Sequence, residues 1–149
     1  MTSITLVRRI AARPSIVFEA LTTPEGVAAW WGPDDLPAIA TVVDARVGGA
    51  FRIRFPTYDG EEHEAVGEYL EVAPPTRLVM SWRWTHNGVT AEAEGISRIE
   101  FDLRPIEGGV ELTVTHADLR NEASAAIHAL GWPDSLFRLR RLLEAAPPT

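Results

Sequence analysis

The stretch GWPDSLFRLRRLLEAA, residues 131–146, decides the fold. Trp132, Leu136, Leu139 and Leu143 fall at i, i+4, i+7 and i+11, which sets them on one face of a helix. Such a helix needs a surface to cover, and the strands before it supply one. GGVELTVTH (108–116) turns at Gly108-Gly109 and then points Val110, Leu112, Val114 and His116 to one side. ISRIEFDLRP (96–105) alternates Ile99, Phe101 and Leu103 against Arg98, Glu100, Asp102 and Arg104. RLVMSWRW (77–84) alternates Leu78, Met80, Trp82 and Trp84 against Val79, Ser81 and Arg83. Strands with one apolar face make a sheet covered on one side. The closing helix is the cover.

Working further back, HEAVGEYLEVAPPTRLVMSWRW (63–84) reads as a hairpin broken at Pro74-Pro75. PAIATVVDARVGGAFRIRF (37–55) reads as strand, Gly48-Gly49 turn, strand. Phe51, Ile53 and Phe55 share one face of its second strand, and Arg52 and Arg54 the other. SITLVRRI (3–10) is a weakly alternating strand. PSIVFEAL (14–21) is a helix begun by Pro14, with Ile16, Val17, Ala20 and Leu21 as its apolar stripe. A second short helix follows, with Thr23 as N-cap, Pro24 at its first position and Gly32-Pro33 as its end. NEASAAIHAL (121–130) reads as a separate short helix capped by Asn121. The order is strand, two short helices, about six antiparallel strands and a long helix. That is an α+β domain over residues 1–146, with 147–149 as a frayed tail and a concave space between sheet and helix.

Composition narrows the function. The 149 residues suit a single domain with its own core. The net charge of −7 disfavours a broad nucleic-acid surface. With no cysteine, disulfides, thiolate metal sites and a cysteine nucleophile are excluded. There is no apolar run of membrane-spanning length and no signal-peptide pattern, so the expected location is cytoplasmic. No nucleotide loop, nucleophile elbow or metal motif is present, so no cofactor or metal is implied.

The segments FEALTTPEGVAAWWGP, VGGAFRIRF, GEYLEVAPPTRLVMSWRW and GWPDSLFRLRRLLE resemble, in this order and spacing, the homologues of the activator of the heat-shock-protein-90 ATPase. That family sits in the START-like, or SRPBCC, superfamily. The resemblance runs from about residue 4 to 145. It implies the helix-grip fold: a curved antiparallel sheet wrapped around a long C-terminal helix, with a hydrophobic cavity between them. Relatives in the superfamily bind lipids, sterols or polyketides, and some cyclise or hydrolyse them.

The candidate ligand-binding residues are aromatic and apolar. Trp82, Trp84 and Met80 share one strand face and suit a planar ligand. Trp30 and Trp31 diverge by about 100° on a helix, so one can pack inward while the other reaches the cavity mouth. Phe51, Phe55, Tyr69, Phe101, Trp132 and Leu136 complete the expected lining. His116, polar on an inward face, and Glu68, beside a Gly67 that could mark a bulge, are the candidate acid–base residues. His63, His86 and His128 read as surface or loop residues. Three functions follow: binding of a lipid-like or aromatic molecule; a polyketide cyclase or hydrolase in the same cavity; and an interaction module, chaperone-associated or homodimeric, built on the Trp30/Trp31 region.

Overall fold

The computed structural model describes residues 2–32, 36, 38–86 and 95–144. The frayed tail expected at 147–149 and the Pro33 of the helix stop lie outside them. The elements are β1 (Thr2–Ile10), α1 (Pro14–Thr22), α2 (Pro24–Trp30), β2 (Ala40–Val43), β3 (Ala50–Pro56), β4 (Glu62–Ala73), β5 (Arg77–His86), β6 (Ile96–Ile106), β7 (Gly109–Leu119) and α3 (Glu122–Glu144). The strands form one antiparallel sheet in the order β1-β7-β6-β5-β4-β3-β2. Every step from β2 to β7 joins neighbours. Only β1 breaks the sequence, by pairing with the last strand, so α1 and α2 carry the chain from one edge of the sheet to the other. This is the helix-grip α+β architecture.

The inward faces are those the alternation predicts. Phe51, Ile53 and Phe55, then Leu78, Met80 and Trp82, then Ile99, Phe101 and Leu103, and finally Val110, Leu112 and Val114 are all buried in one cluster with Trp132, Leu136 and Leu139 of α3. The opposite face is charged. Arg77 there donates to Asp102 and Glu100, each at 2.7 Å, and Arg52 pairs with Glu64. These contacts favour the charged forms and hold Glu100 and Glu64 below the usual carboxylate range. Arg77 leads for Glu100, and the Thr85 hydroxyl, followed by Arg52, for Glu64.

Three local readings are corrected. Residues 121–130 and 131–146 are not two helices, because α3 runs unbroken through Pro133. A proline removes one backbone hydrogen bond and strains the preceding turn. Ala125, His128, Trp132, Leu136 and Leu139 form a buried stripe that continues across it, and that packing outweighs the local defect. In α1, Ile16 is 42% exposed, and Phe18 joins Val17, Ala20 and Leu21 on the buried face. The stripe is turned by one position. Gly67 is not a bulge: pairing stays in register from Val66↔Arg83 to Tyr69↔Met80, and it slips on either side, between Glu64 and Ala65 and between Tyr69 and Glu71. Glycine is needed at 67 because a Cβ there would collide with the Ser81 carbonyl oxygen. The strand therefore keeps its phase, with Tyr69 fully buried and Glu68 exposed.

The expected caps are in place. The Thr23 hydroxyl accepts from Gly26 N–H at 3.1 Å, and the Asn121 side chain accepts from Ser124 N–H at 2.9 Å. No helix among the described residues is long and apolar enough to cross a membrane.

Candidate functional site

A cavity of about 390 Å³ lies between the sheet and the first half of α3. It sits at one end of the sheet, where β3, β5 and β7 finish and β4 begins. Phe55, Trp82 and Trp84, and His116 reach it from the finishing strands, and His63 from the start of β4. Trp31 and Gly32 close it from the end of α2, while His128, Trp132 and Asp134 descend from α3.

The aromatic wall is continuous. Trp31 stacks on Trp82 with centroids 5.4 Å apart and planes 10° from parallel. Trp84 meets Trp82 edge-on at 5.1 Å, and Trp132 lies 5.5 Å from Trp31. The two adjacent tryptophans do divide, but not by helix geometry: α2 ends at Trp30, and Trp31 is its C-cap with extended backbone. Trp30, fully buried, donates its indole N–H to the Ala20 carbonyl at 2.9 Å and belongs to the core. Trp31 turns toward the cavity. At 0% and 6% exposure, neither offers a surface for a homodimer, which corrects the expectation of an exposed pair.

A latch holds Trp31 in place. Gly32, at a φ of +119° that L side chains rarely adopt, turns the chain out of α2. Its N–H donates to the Ser135 hydroxyl at 3.2 Å, and that hydroxyl donates to the Gly32 carbonyl at 2.7 Å. Arg138, one turn along, donates to the Trp30 carbonyl at 3.1 Å.

His116 is fully buried, and both its nitrogens are engaged. Trp132 Nε1–H donates to Nδ1 at 3.1 Å, which leaves the ring proton on Nε2, donating to Ser97 Oγ at 2.7 Å. Ser97 in turn donates toward the Trp82 carbonyl at 3.4 Å. The chain of donors runs one way and requires a neutral imidazole. Burial, and then the nearby His128, push its pKa well below the ordinary histidine range. With its Nδ1 lone pair taken by an indole N–H, His116 is built to hold Trp132 and Ser97 rather than to accept a proton from a ligand. Glu68, on the opposite face of the sheet, is out of reach of the cavity. Neither candidate acid–base residue has the geometry for that work.

The aromatic candidates divide in the same way. Trp31, Phe55, Trp82, Trp84 and Trp132 line the cavity. Trp30, Phe51, Tyr69, Met80, Phe101 and Leu136 pack in the core outside its lining. Tyr69 is sealed: its hydroxyl is buried without a hydrogen-bond partner among the described residues, and burial, followed by Asp44, raises its pKa.

Two histidines read as surface residues line the cavity instead. His128 is 8% exposed, its ring 4.4 Å from His116, with Nδ1–H donating to the Ser124 carbonyl at 2.9 Å. His63 stacks on Phe55 at 5.6 Å. Its Nε2 lies 3.2 Å from Thr57 Oγ1, whose own proton goes to Asp59 at 2.5 Å, so Nε2 carries the hydrogen. That Thr57 hydrogen bond is also the leading cause that lowers the Asp59 pKa. Both histidines were within reach of the sequence. His128 extends the α3 stripe one turn upstream of Trp132, and His63 has the phase of Ala65 and Tyr69. Splitting the helix hid the first, and the phase left open around Gly67 hid the second. Among the described residues no group of three histidines or carboxylates could hold a metal ion.

Residues 11–144 match the family model described as Activator of Hsp90 ATPase homolog 1-like protein. The chain is similar in structure to protein CV1439 of Chromobacterium violaceum, at 29% identity and TM-score 0.85, with 98% of each chain covered. It resembles a Rhodobacter sphaeroides protein at 25% identity and TM-score 0.82, covering 99% of this chain and 95% of the other. At 24% identity and TM-score 0.85, the AHSA1 protein of Silicibacter pomeroyi shares the fold, with 98% of this chain and 100% of that one covered. No curated protein matches the chain.

Proposed function

The chain belongs to the Activator of Hsp90 ATPase homolog 1-like family, and from that premise we propose that it binds an apolar, aromatic or lipid-like small molecule in the cavity between the sheet and α3. The observation that carries this reading is the cavity's wall. Four of the chain's five tryptophans line about 390 Å³ of space, within the size range of small-molecule sites. Proteins of this superfamily commonly hold hydrophobic ligands. A ligand of roughly 20 heavy atoms at about −0.3 kcal/mol per atom gives about −6 kcal/mol, a Kd of tens of micromolar.

Native mass spectrometry of freshly purified protein, with a titration of 1-naphthol followed by tryptophan fluorescence, tests this reading. An extra mass that leaves on denaturation, or saturable quenching, supports it. Absence of both would overturn it.

A further inference from the structure

We infer that the cavity selects its ligand by charge: it takes an apolar aromatic molecule that carries an amine, and rejects the carboxylate of the same shape. This rests on the reading that the cavity binds a small molecule. The first support is the charge of the wall. Among its described residues Asp134 is the one with a formal charge at neutral pH, and there is no arginine, although the chain has 14 cationic side chains. Arg138, on the next turn of α3, is directed to the Trp30 carbonyl and is not part of the wall.

The second support is the direction of the hydrogen bonds. A carboxylate buried against apolar walls needs donors to replace its water. The polar side chains here have already committed theirs. The His116 ring proton goes to Ser97, the His128 Nδ1–H to Ser124, the His63 Nε2–H to Thr57 and the Ser135 proton to Gly32. The indole N–H of Trp132 is given to His116. The Trp82 indole N–H is buried without a partner among the described residues, but it is a neutral donor and lacks the charge assistance that a guanidinium or ammonium would give a carboxylate.

The third support is the aromatic surface itself. Indole faces carry negative potential and attract cations. A net charge of −7 adds a field of the same sign. Aromatic faces, one carboxylate and no arginine among the described lining residues together describe a site for a protonated amine.

Calorimetric titration at pH 8, where ordinary imidazole is neutral, with three probes of one shape tests the inference: 1-naphthylmethylamine, 1-naphthalenemethanol and 1-naphthoic acid. The amine is expected to bind about tenfold more tightly than the acid, with the alcohol between them. Asp134→Asn, at an exposed helix position, is expected to weaken the amine about threefold more than it changes the alcohol. An acid that binds as tightly as the alcohol overturns the charge selection while the binding reading stands. An amine preference undiminished in Asp134→Asn overturns the role of that carboxylate. Failure of all three probes would sink the binding reading itself.

Discussion

At one end of the sheet Leu78, Phe101 and Leu112 share a buried cluster with Leu136 and Leu139 of α3. At the other end the same strands carry Trp82, Trp84 and His116 under the first half of the same helix, and about 390 Å³ remains. Aliphatic side chains shift among rotamers until they interdigitate, which closes the first end. At the second end, the Trp132 and His116 rings are held edge to face by directed hydrogen bonds. Trp132 cannot move inward without leaving the His116 nitrogen, and His116 cannot follow without leaving Ser97. Each such break would strand a buried polar group. A satisfied polar network therefore keeps this end from collapsing.

The largest effect that could break this contrast is on stability. Trp30→Ala, at the packed end, is expected to cost about 3–5 kcal/mol in urea denaturation. Trp84→Ala, half-buried at the open end, should cost about 1–2 kcal/mol, because less apolar surface is recovered by the native ring. Equal costs would mean that both ends are core.

His116→Leu keeps the bulk and removes the network. It strands the Trp132 N–H and the Ser97 hydroxyl, and is expected to cost about 1–3 kcal/mol in the same assay. The pH dependence sharpens this. The folded pKa of His116 lies below its unfolded value of about 6.5. Its contribution is therefore complete above about pH 6.5 and is lost as pH falls toward the folded value, because only the unfolded chain takes up the proton. Stability is therefore expected to fall as pH drops below about 6.5. Thermal melts at pH 7.5 and 5.5 read this as a fall in Tm that His116→Gln removes. A fall of the same size in His116→Gln would assign it to other groups.

Smaller still is the latch. Ser135→Ala removes both hydrogen bonds to Gly32 and should cost about 1 kcal/mol. It also frees Trp31, so the tryptophan emission maximum is expected to move to longer wavelength. An unmoved maximum would mean that aromatic stacking alone holds Trp31. Glu68→Gln, on the exposed face, should change stability by less than about 0.5 kcal/mol and leave 1-naphthol binding untouched. A loss of binding would reopen its candidacy.

Most of the fold was legible because a one-sided antiparallel sheet writes itself as alternation. Phe51/Ile53/Phe55 and Ile99/Phe101/Leu103 needed no partner to be read. The site was legible only in part. Trp82 and Trp84 announced a shared face, but nothing local distinguishes a tryptophan that lines a cavity from one that fills a core. Trp31 and Trp30 are adjacent in sequence and went to different fates, set by the Ser135 latch from more than a hundred residues away.

By itself, then, the sequence determined the strand order along the chain, the inward faces of β3, β5, β6 and β7 and the caps, since each follows from residues within one turn or one strand of each other. Tertiary structure alone decided that α3 runs through Pro133, that His63 and His128 converge with His116, and that His116 is spent on structure. Those outcomes depend on which groups meet across strands and helix. Burial makes those meetings decisive, because a polar atom removed from water must take whichever partner the fold brings to it.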